Sequence, residues 1–364
     1  MKLVVNKDVI LDGLQKVQSI VGNRTTLPIL YNVLFQAEND KVTLSTTDLE
    51  VSVRTVVEAK VTRGGATTMP AKRVFSICRE LPAAEIEIDV DDKDVATIKA
   101  GTAVFRIIGI SEDEFPPAPK FQGKKSYTIE QKVFKKMLSA TYYSASSDDT
   151  RYILNGVLLS FKAGKLAIVA TDGRRMAMYE QELEFLKEAE GEWILPSKAV
   201  NELLHTLKDE GTLKIQVTEN QAAFEFENML IISKLIEGTY PNFRQVIPTH
   251  CEERVTMERE KFLTAVRRVA LLVSDKSNSL TLNFAKNKLT ITAVAPEVGE
   301  ATETMGVKYS GKEISISFNP DFIMDALKNL TAEEVSIELT DDLSPGVLKN
   351  DEPFLYVLMP MRVK

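Results

Sequence analysis

The chain is poor in the side chains on which most catalytic and metal sites depend. Its 364 residues include two cysteines, Cys78 and Cys251, and two histidines, His205 and His250. Two distant cysteines provide neither a zinc-binding motif nor a disulfide framework, and so few histidines argue strongly against a His-based metal site or Ser-His-Asp chemistry. We therefore expect no catalytic residue, metal or cofactor. Cys78 should be a small buried residue of a helix, and His205 should lie on a helix surface.

Long apolar runs are also missing. Runs such as Met229–Ser233 fall far below the ~20 residues that span a membrane. Residues 1–8 lack the apolar core and the small-residue cleavage site of a signal peptide. We expect a cytoplasmic protein with no membrane partner. The net charge of −7 argues against nucleic acid as a ligand, unless the basic residues gather on one surface.

The sequence contains three copies of one pattern. Thr47-Asp48 recurs as Thr171-Asp172, 124 residues later, and Lys72 recurs as Lys198, 126 residues later, each two positions after a proline. The segment 318–321 follows at a similar interval. A period of this length indicates three similar domains, which we place at residues 1–125, 126–250 and 251–364.

Each third shows the same order of elements. An amphipathic helix comes first, because apolar residues recur at helical spacing, and a strand with alternating polar and apolar residues follows. A second helix and further strands complete a pseudo-twofold pair of helix-plus-strand halves, so the fold class is α+β. The predicted N-caps are Asn6, Thr128 (in a capping box with Glu130-Gln131), Thr256, and Asn319 before Pro320. The predicted strands include 41–45, 165–169 and 288–292, each after a turn at Asn39-Asp40, Ala163-Gly164 or Lys286-Asn287.

Charge is divided between the helices and the rest of the chain. The six predicted helix segments sum to +6, which leaves −13 for the remaining residues. If the helices share one side of a curved sheet, that side attracts a polyanion without a device for reading bases. The alternative is a set of ordinary solvated helix faces. The basic side chains concerned are Lys72, Arg73, Lys135, Lys136, Lys198, Arg267 and Arg268.

Five segments carry a family signature: Val21–Leu30, Thr150–Gly156, Ala170–Arg175, Tyr240–Arg244 and Leu358–Arg362. In this order and spacing they resemble the bacterial DNA polymerase III beta subunits, over the full length of the chain. The resemblance implies the DNA clamp fold, in which a head-to-tail homodimer forms a six-domain ring with helices inside and sheets outside. It implies a sliding clamp in DNA replication, a processivity factor of the DNA-directed DNA polymerase III holoenzyme without catalysis of its own.

The resemblance also implies which residues face double-stranded DNA. The ring would enclose the duplex without sequence specificity, so the contacts would be made to phosphates. An alternative for Arg151 is an ion pair with Asp148 or Asp149. The DNA-facing residues implied by family position are Arg24, Arg73, Arg151, Tyr152 and Lys198.

A peptide-binding pocket between domains two and three is implied for the partners, which are the replicative polymerase alpha subunit, the clamp-loader delta subunit and other proteins with a clamp-binding motif. Arg175 and Arg362 would meet acidic peptide groups at its rim. Arg174, Phe322, Leu343 and Pro345 depart from common family residues and affect the peptide preference. Without the family, Met359-Pro360-Met361 would be an ordinary C-terminal strand in the core. The pocket residues are Leu154, Thr171, Gly173, Arg175, Met176, Pro241, Val246, Asn319, Phe322, Leu343, Val357, Met359, Pro360, Met361 and Arg362.

The subunit contact is expected between domain one of one copy and domain three of the other. Apolar residues Phe105 and Ile107 would meet Leu272 and Val273, unless Phe105 simply fills domain one. Complementary charges would come from Lys99 and Arg106 on one side and from Glu297, Glu300 and Glu303 on the other.

Two other functions compete with the clamp. Asp48 and Asp172 could serve as the carboxylates of a nuclease, but their repeated position next to threonine is typical of structural turns. A peptide-binding scaffold that does not enclose DNA would share the pocket and lack the ring.

Overall fold

The architecture consists of short helices and antiparallel strands. A computed structural model describes residues 1–22, 27–82, 84–117, 121, 123, 125–273 and 278–362. The α-helices within these ranges are α1 (Lys7–Gln18), α2 (Ala71–Glu80), α3 (Gln131–Thr141), α4 (Ser197–Thr206), α5 (Arg259–Val269) and α6 (Pro320–Lys328). The strands are β1 (Lys2–Asn6), β2 (Asn32–Glu38), β3 (Lys41–Thr47), β4 (Val51–Glu58), β5 (Lys60–Arg63), β6 (Gly65–Pro70), β7 (Glu85–Val90), β8 (Val95–Ala100), β9 (Ala103–Ile108), β10 (Lys125–Glu130), β11 (Gly156–Lys162), β12 (Lys165–Thr171), β13 (Arg175–Glu182), β14 (Gly191–Pro196), β15 (Thr212–Val217), β16 (Gln221–Phe226), β17 (Met229–Lys234), β18 (Glu253–Glu258), β19 (Leu280–Ala285), β20 (Lys288–Ala295), β21 (Gly299–Gly306), β22 (Ile314–Phe318), β23 (Glu334–Leu339), β24 (Gly346–Lys349) and β25 (Phe354–Leu358).

The contacts divide the chain into two compact units. Unit 1 comprises Met1–Val133 and Asn201–Leu235, and unit 2 comprises Phe134–Val200 and Ile236–Lys364. Unit 1 holds a five-stranded sheet, β5-β1-β7-β8-β9, and an eight-stranded sheet, β10-β15-β16-β17-β4-β3-β2-β6. Unit 2 holds an eight-stranded sheet, β14-β11-β12-β13-β25-β24-β23-β18, and a four-stranded sheet, β21-β20-β19-β22.

The sheets repeat one half-domain pattern. In each eight-stranded sheet, four strands from one third of the sequence pair with four from the next third, through β4·β17 in unit 1 and β13·β25 in unit 2. The remaining two sheets run from β5 to β9 and from β21 to β22, so that, among the strands described, β9 and β21 each have a neighbour on one side only. Each of these edges therefore presents unpaired backbone groups.

Local sequence explains the hairpins and the burial. The predicted turns are confirmed, because Asn39, Asp40, Ala163 and Asn287 adopt positive φ, as tight hairpins between twisted strands require. Along β4, buried positions alternate with outward ones. Helix α1 packs on α2 and on β3 and β4. It does so closely, because a Cβ at Gly13 would lie 2.7 Å from Val57 Cγ1.

Two predicted helix starts are wrong. Asn6 caps α1 by accepting from the amides of Asp8 and Val9, and Asn319 caps α6 by accepting from Asp321, as predicted. Thr128, however, lies within β10 opposite Lys214, and Thr256 lies within β18 opposite Ser336. The helices begin three residues after each threonine, because these segments are taken by pairing with a neighbouring strand.

The predicted surroundings of two scarce residues are confirmed. Cys78 is fully buried on α2, and burial raises the pKa of its thiol to about 12. His205 is exposed on α4.

Candidate peptide-binding groove and nucleic-acid surface

The predicted pocket residues gather around the pairing of β13 with β25 in unit 2. Met176 lies opposite Val357 in this ladder. Both side chains belong to an apolar cluster that covers one face of the sheet. We call this region the β13–β25 junction; its buried members are Leu158, Val169, Met176, Met178, Ile194, Tyr240, Phe243 and Val357, with Ile153, Leu154, Ile236, Ile247 and Leu355 packed against them.

A linker covers one side of the junction and leaves apolar surface open. Tyr240 and Phe243 of this linker are buried, whereas Val246 is 45% exposed. Burial raises the pKa of the Tyr240 phenol, which keeps the side chain neutral inside the cluster. Pro241 lies next to the buried tyrosine and is itself exposed. The linker thus fixes one wall with its aromatic residues and exposes the neighbouring aliphatic ones.

The C-terminal segment is held by backbone hydrogen bonds beyond the end of β25. The Met359 amide donates to the Arg174 carbonyl (3.0 Å), and the Met361 amide donates to the Ser317 carbonyl (2.7 Å). Met359 is 42% exposed, and Pro360 and Met361 are half-buried. The alternative of a core strand therefore describes β25 itself and not the residues after it.

Arg175 is tied to its own chain on every side. Its guanidinium donates to Asp172 Oδ2 (3.0 Å), Asp325 Oδ2 (2.7 Å) and the Tyr143 carbonyl (2.8 Å). It also lies over the Phe322 ring, 4.4 Å from the centroid. Three of its N–H groups are used within the chain, two of them on carboxylates of the β12–β13 turn and of α6. Its contact with acidic peptide groups at the rim stays a prediction.

The turn between β12 and β13 prepares this arrangement. The Thr171 hydroxyl donates to the Arg175 carbonyl (2.6 Å) and accepts from the amide of Gly173 (3.0 Å). Gly173 has φ of +85°, a conformation that favours glycine. Asp172 accepts from the amides of Arg174 (2.9 Å) and Arg175 (3.1 Å). Asp172 is therefore a structural turn residue, as predicted.

Asp48 serves the same purpose in the first repeat. Its Oδ1 accepts from the amides of Glu50 (2.9 Å) and Val51 (2.7 Å). The described part of the chain contains no group of three or more His, Cys, Asp or Glu side chains placed to hold a metal ion. Each of these two carboxylates holds a backbone turn of its own repeat.

Three of the remaining predicted pocket residues are exposed or are engaged elsewhere in the chain. Leu343 (65% exposed) and Pro345 lie in the connection between β23 and β24, and Arg362 is exposed. The Asn319 side chain caps α6, because its Oδ1 accepts from the amide of Asp321 (2.8 Å). Their contribution to peptide binding stays a prediction.

The predicted DNA-facing residues have different surroundings. Arg73 is exposed on α2 and forms no ion pair with the residues that the structure describes. Arg151 pairs with Asp148 (3.1 Å) and donates to the Asp172 carbonyl (2.6 Å), so the alternative for this residue is the observed state. Tyr152 is 57% exposed and Lys198 is exposed on α4. Arg24 lies outside the described residues.

Two of the helix cations are partly neutralised. Lys136 pairs with Glu352 at 2.5 Å, and Arg268 makes a two-pronged ion pair with Glu303. Glu303 is one of the predicted interface acids, and the Arg268 hydrogen bond lowers the pKa of its carboxyl group. Arg267 is exposed and forms no ion pair with the part of the chain that is described.

The edge strands show how much surface each predicted interface residue exposes in the single chain. Phe105 is 40% exposed, so it does not simply fill domain one, whereas Ile107 is buried within unit 1. Ile107 already points into its own sheet's core and has little surface left for a partner. Sequence reasoning missed several exposed apolar side chains near the predicted ones. They are Val104 and Ile108 on β9, Leu271 just after α5, Val294 on β20 and Val298 just before β21. Lys99, Arg106, Glu297 and Glu300 are exposed, and Leu272 and Val273 are half-buried.

Comparison with known proteins agrees with this architecture. Models of the N-terminal, central and C-terminal domains of the DNA polymerase III beta subunit match residues 1–119, 128–242 and 244–362. A crystal structure of the sliding clamp from Pseudomonas aeruginosa bound to griselimycin superimposes with a TM-score of 0.96 at 30% identity, covering 100% of both chains. The protein therefore has the three-domain DNA clamp fold.

Curated relatives extend the agreement to sequence. The beta sliding clamp of Chlamydia pneumoniae is 37% identical over 363 residues, covering 100% of this chain and 99% of that protein. That of Escherichia coli K12 is 33% identical over 368 residues, covering 100% of both. The chain belongs to the family of DNA polymerase III beta subunits, the beta sliding clamps. Among the described residues, no helix is long and apolar enough to cross a membrane.

Proposed function

We propose that this chain is the processivity factor of a replicative polymerase: two copies close head to tail around double-stranded DNA, slide without reading sequence, and tether partner proteins through the β13–β25 junction. The observation that carries this proposal is the pair of unpaired edges. Strands β9 and β21 each end a sheet. In the repeat, β17 and β25 correspond to β9, and β4 and β13 correspond to β21. These corresponding strands pair within the chain, β17 with β4 and β25 with β13. A second copy supplies each edge with its missing neighbour.

The repeat also predicts the register of that contact. Ser52 lies opposite Ile232, and Met176 lies opposite Val357. Carried to the third repeat, these pairs support a register with Arg106 opposite Glu300 of the partner subunit. Both side chains are exposed in the single chain, and opposite charges directly across an antiparallel pair are favourable. Phe105 and Val104 on the same strand add apolar surface to the contact.

A head-to-tail contact of this kind uses two different surfaces. Such a contact gives a ring when the rotation closes after a fixed number of copies, and an open filament when it does not. A closed dimer retains DNA by topology, so individual phosphate contacts can stay weak. This accounts for an acidic protein whose helices carry exposed cations such as Arg73 and Arg267, which form no ion pair within the described ranges. Tight, fixed ion pairs to DNA would oppose sliding.

The partners fit the chemistry of the β13–β25 junction. Met176 and Met178 belong to the buried apolar cluster, Met359 and Val246 are exposed, and methionine repacks around different aliphatic side chains. We propose that the polymerase alpha subunit, the clamp-loader delta subunit and other proteins dock short hydrophobic segments here.

The ring is tested by mass and topology. We expect a particle of twice 40.6 kDa in analytical ultracentrifugation. Loaded by a clamp loader and ATP, it should stay on nicked circular DNA through gel filtration and leave when the circle is cut. Retention that does not depend on circularity contradicts encirclement.

The tether is tested separately. Met359→Glu places a charge on the exposed apolar rim and should weaken a labelled clamp-binding peptide at least tenfold, while the dimer mass stays the same. Leu186→Glu is the matched control, because Leu186 is also exposed (76%) but lies in the connection between β13 and β14, away from the C-terminal segment in sequence. Equal peptide affinity for the two variants refutes the assigned groove.

A further inference from the structure

Unit 1 contains a second junction built from the same elements. Strand β4 pairs with β17 as β13 pairs with β25, with Ser52 opposite Ile232. A linker segment that includes Phe115 and Pro117 borders this pairing, and a cavity of about 50 Å³ lies between linker and sheet. We call this region the β4–β17 junction; the residues used below are Ser45, Ser52, Arg54, Phe115, Leu230 and Ile232, all of which line the cavity.

The two junctions share a backbone plan but differ in chemistry. At the β13–β25 junction the wall is apolar and buried. At the β4–β17 junction, the equivalent wall consists of the hydroxyl groups of Ser45 and Ser52 and the guanidinium of Arg54, which is exposed. The 124-residue repeat aligns three pairs of side chains: Ser45 with Val169, Ser52 with Met176, and Arg54 with Met178.

Arg54 is an uncompensated cation in this wall. Its neighbours across the two ladders are Ser45 and Leu230, which carry no charge. It forms no ion pair with the residues that the structure describes. A guanidinium beside apolar surface suits a carboxylate, because charge-assisted hydrogen bonds to arginine are roughly twice as strong as neutral ones. Charge complementarity therefore points to an acidic ligand.

The apolar residues of the β4–β17 junction indicate that the ligand also carries an apolar side chain. Ile232 is buried, while Phe115 and Leu230 are half-buried around the cavity. A space of about 50 Å³ exceeds the roughly 10–15 Å³ that one water needs. It has room for the end of a branched aliphatic side chain. On an extended peptide, side chains of one face recur every two residues, about 7 Å apart.

We propose that the β4–β17 junction is a second docking site, which takes an extended acidic segment of a partner protein. A carboxylate of that segment binds Arg54, and a leucine or isoleucine two residues away enters the cavity beside Ile232. The site uses none of the residues of the β13–β25 junction. It therefore goes beyond the proposed function and lets one clamp hold two segments of different chemistry.

Methyl NMR of the full chain tests the site. The probe is a blocked pentapeptide, acetyl-Gly-Asp-Gly-Leu-Gly-amide, and the control peptide has Asn in place of Asp. We expect saturable shifts of the Ile232 and Leu230 methyl groups with the Asp peptide, and an affinity at least tenfold weaker with the Asn peptide. Arg54→Gln should lose the same factor, whereas Arg254→Gln, at an exposed strand arginine of unit 2, should change nothing.

The outcomes separate cleanly. Absence of a saturable shift at Ile232, equal affinity for both peptides, or a response indifferent to Arg54→Gln each overturns the proposal. Shifts confined to Val357 and Leu154 place the peptide in the other junction and overturn it too. Failure of clamp loading or of the Met359→Glu test concerns the proposed function alone, because those experiments do not involve Arg54.

Discussion

The ion-pair network of Arg175 gives the sharpest stability prediction. Its side chain is 10% exposed, and it binds Asp172 (16% exposed) and Asp325 (35% exposed). Arg175→Met keeps most of the volume and leaves two carboxylates without their cation. Breaking a buried pair in this way costs about 3–5 kcal/mol. Because Asp325 is one-third exposed and regains water, we expect the lower end, about 3 kcal/mol.

The chain provides its own probe for this experiment. Trp193, its single tryptophan, lies on β14 in the same eight-stranded sheet as β13. Guanidinium unfolding followed by Trp193 emission should shift to a midpoint lower by roughly 0.5–1.5 M, given slopes of about 2–6 kcal/mol/M. The control is Arg244→Met, whose ion pair with Glu180 is long (3.7 Å) and exposed. Surface pairs of this kind contribute about 0–1 kcal/mol. A shift for Arg175→Met no larger than for the control refutes the reasoning.

Three further predictions address the interface, the DNA surface and the thiols. Arg106→Glu should cost about 1 kcal/mol at each of two interfaces and weaken dimer association roughly 30-fold, and adding Glu300→Arg should restore the association. Sedimentation equilibrium measures the dimer affinity of both variants. A double variant that dimerises no better than Arg106→Glu contradicts the register. Arg73→Ala should reduce the slope of log K for DNA against log salt by about 0.9, the value for one phosphate contact, in a filter-binding titration; an unchanged slope removes Arg73 from the DNA surface. At pH 8, iodoacetamide should modify Cys251 and spare Cys78 until the protein is unfolded. The reason is that burial raises the pKa of Cys78 to about 12, whereas Cys251 is half-exposed. Mass spectrometry shows which thiol reacts, and equal reaction rates of the two thiols contradict the burial of Cys78.

Much of the fold follows from local pattern. Alternation along 41–45, 165–169 and 288–292 predicted three strands that the structure contains within β3, β12 and β20. Turn residues with positive φ predicted the hairpins before them. These signals are local, because one residue's neighbours in sequence decide its face or its turn. Repetition then multiplied each signal threefold.

Long-range pairing explains what was missed. The segments before α1, α3 and α5 are strands, because each finds a partner far along the chain, as Thr128 does opposite Lys214. Their own sequence is equally suited to a helix start. The ion pair of Arg175 with Asp325 has the same cause. The two residues are 150 positions apart, so the local sequence around Arg175 does not predict this partner. Likewise, the burial of Ile107 depends on how the whole five-stranded sheet is covered.

The repeat also explains why the proposed docking surface is apolar at one of three equivalent strand pairs. The three equivalent walls carry Ser45, Ser52 and Arg54 in the first repeat, Val169, Met176 and Met178 in the second, and Thr292, Glu300 and Thr302 in the third. Backbone hydrogen bonding is the same at the two junctions within the chain, so the pairing alone does not select a ligand. Side chains at three positions do. An apolar wall suits the hydrophobic segments of the proposed function, whereas Glu300 places a charge on the edge of β21, as exposed edge strands commonly carry.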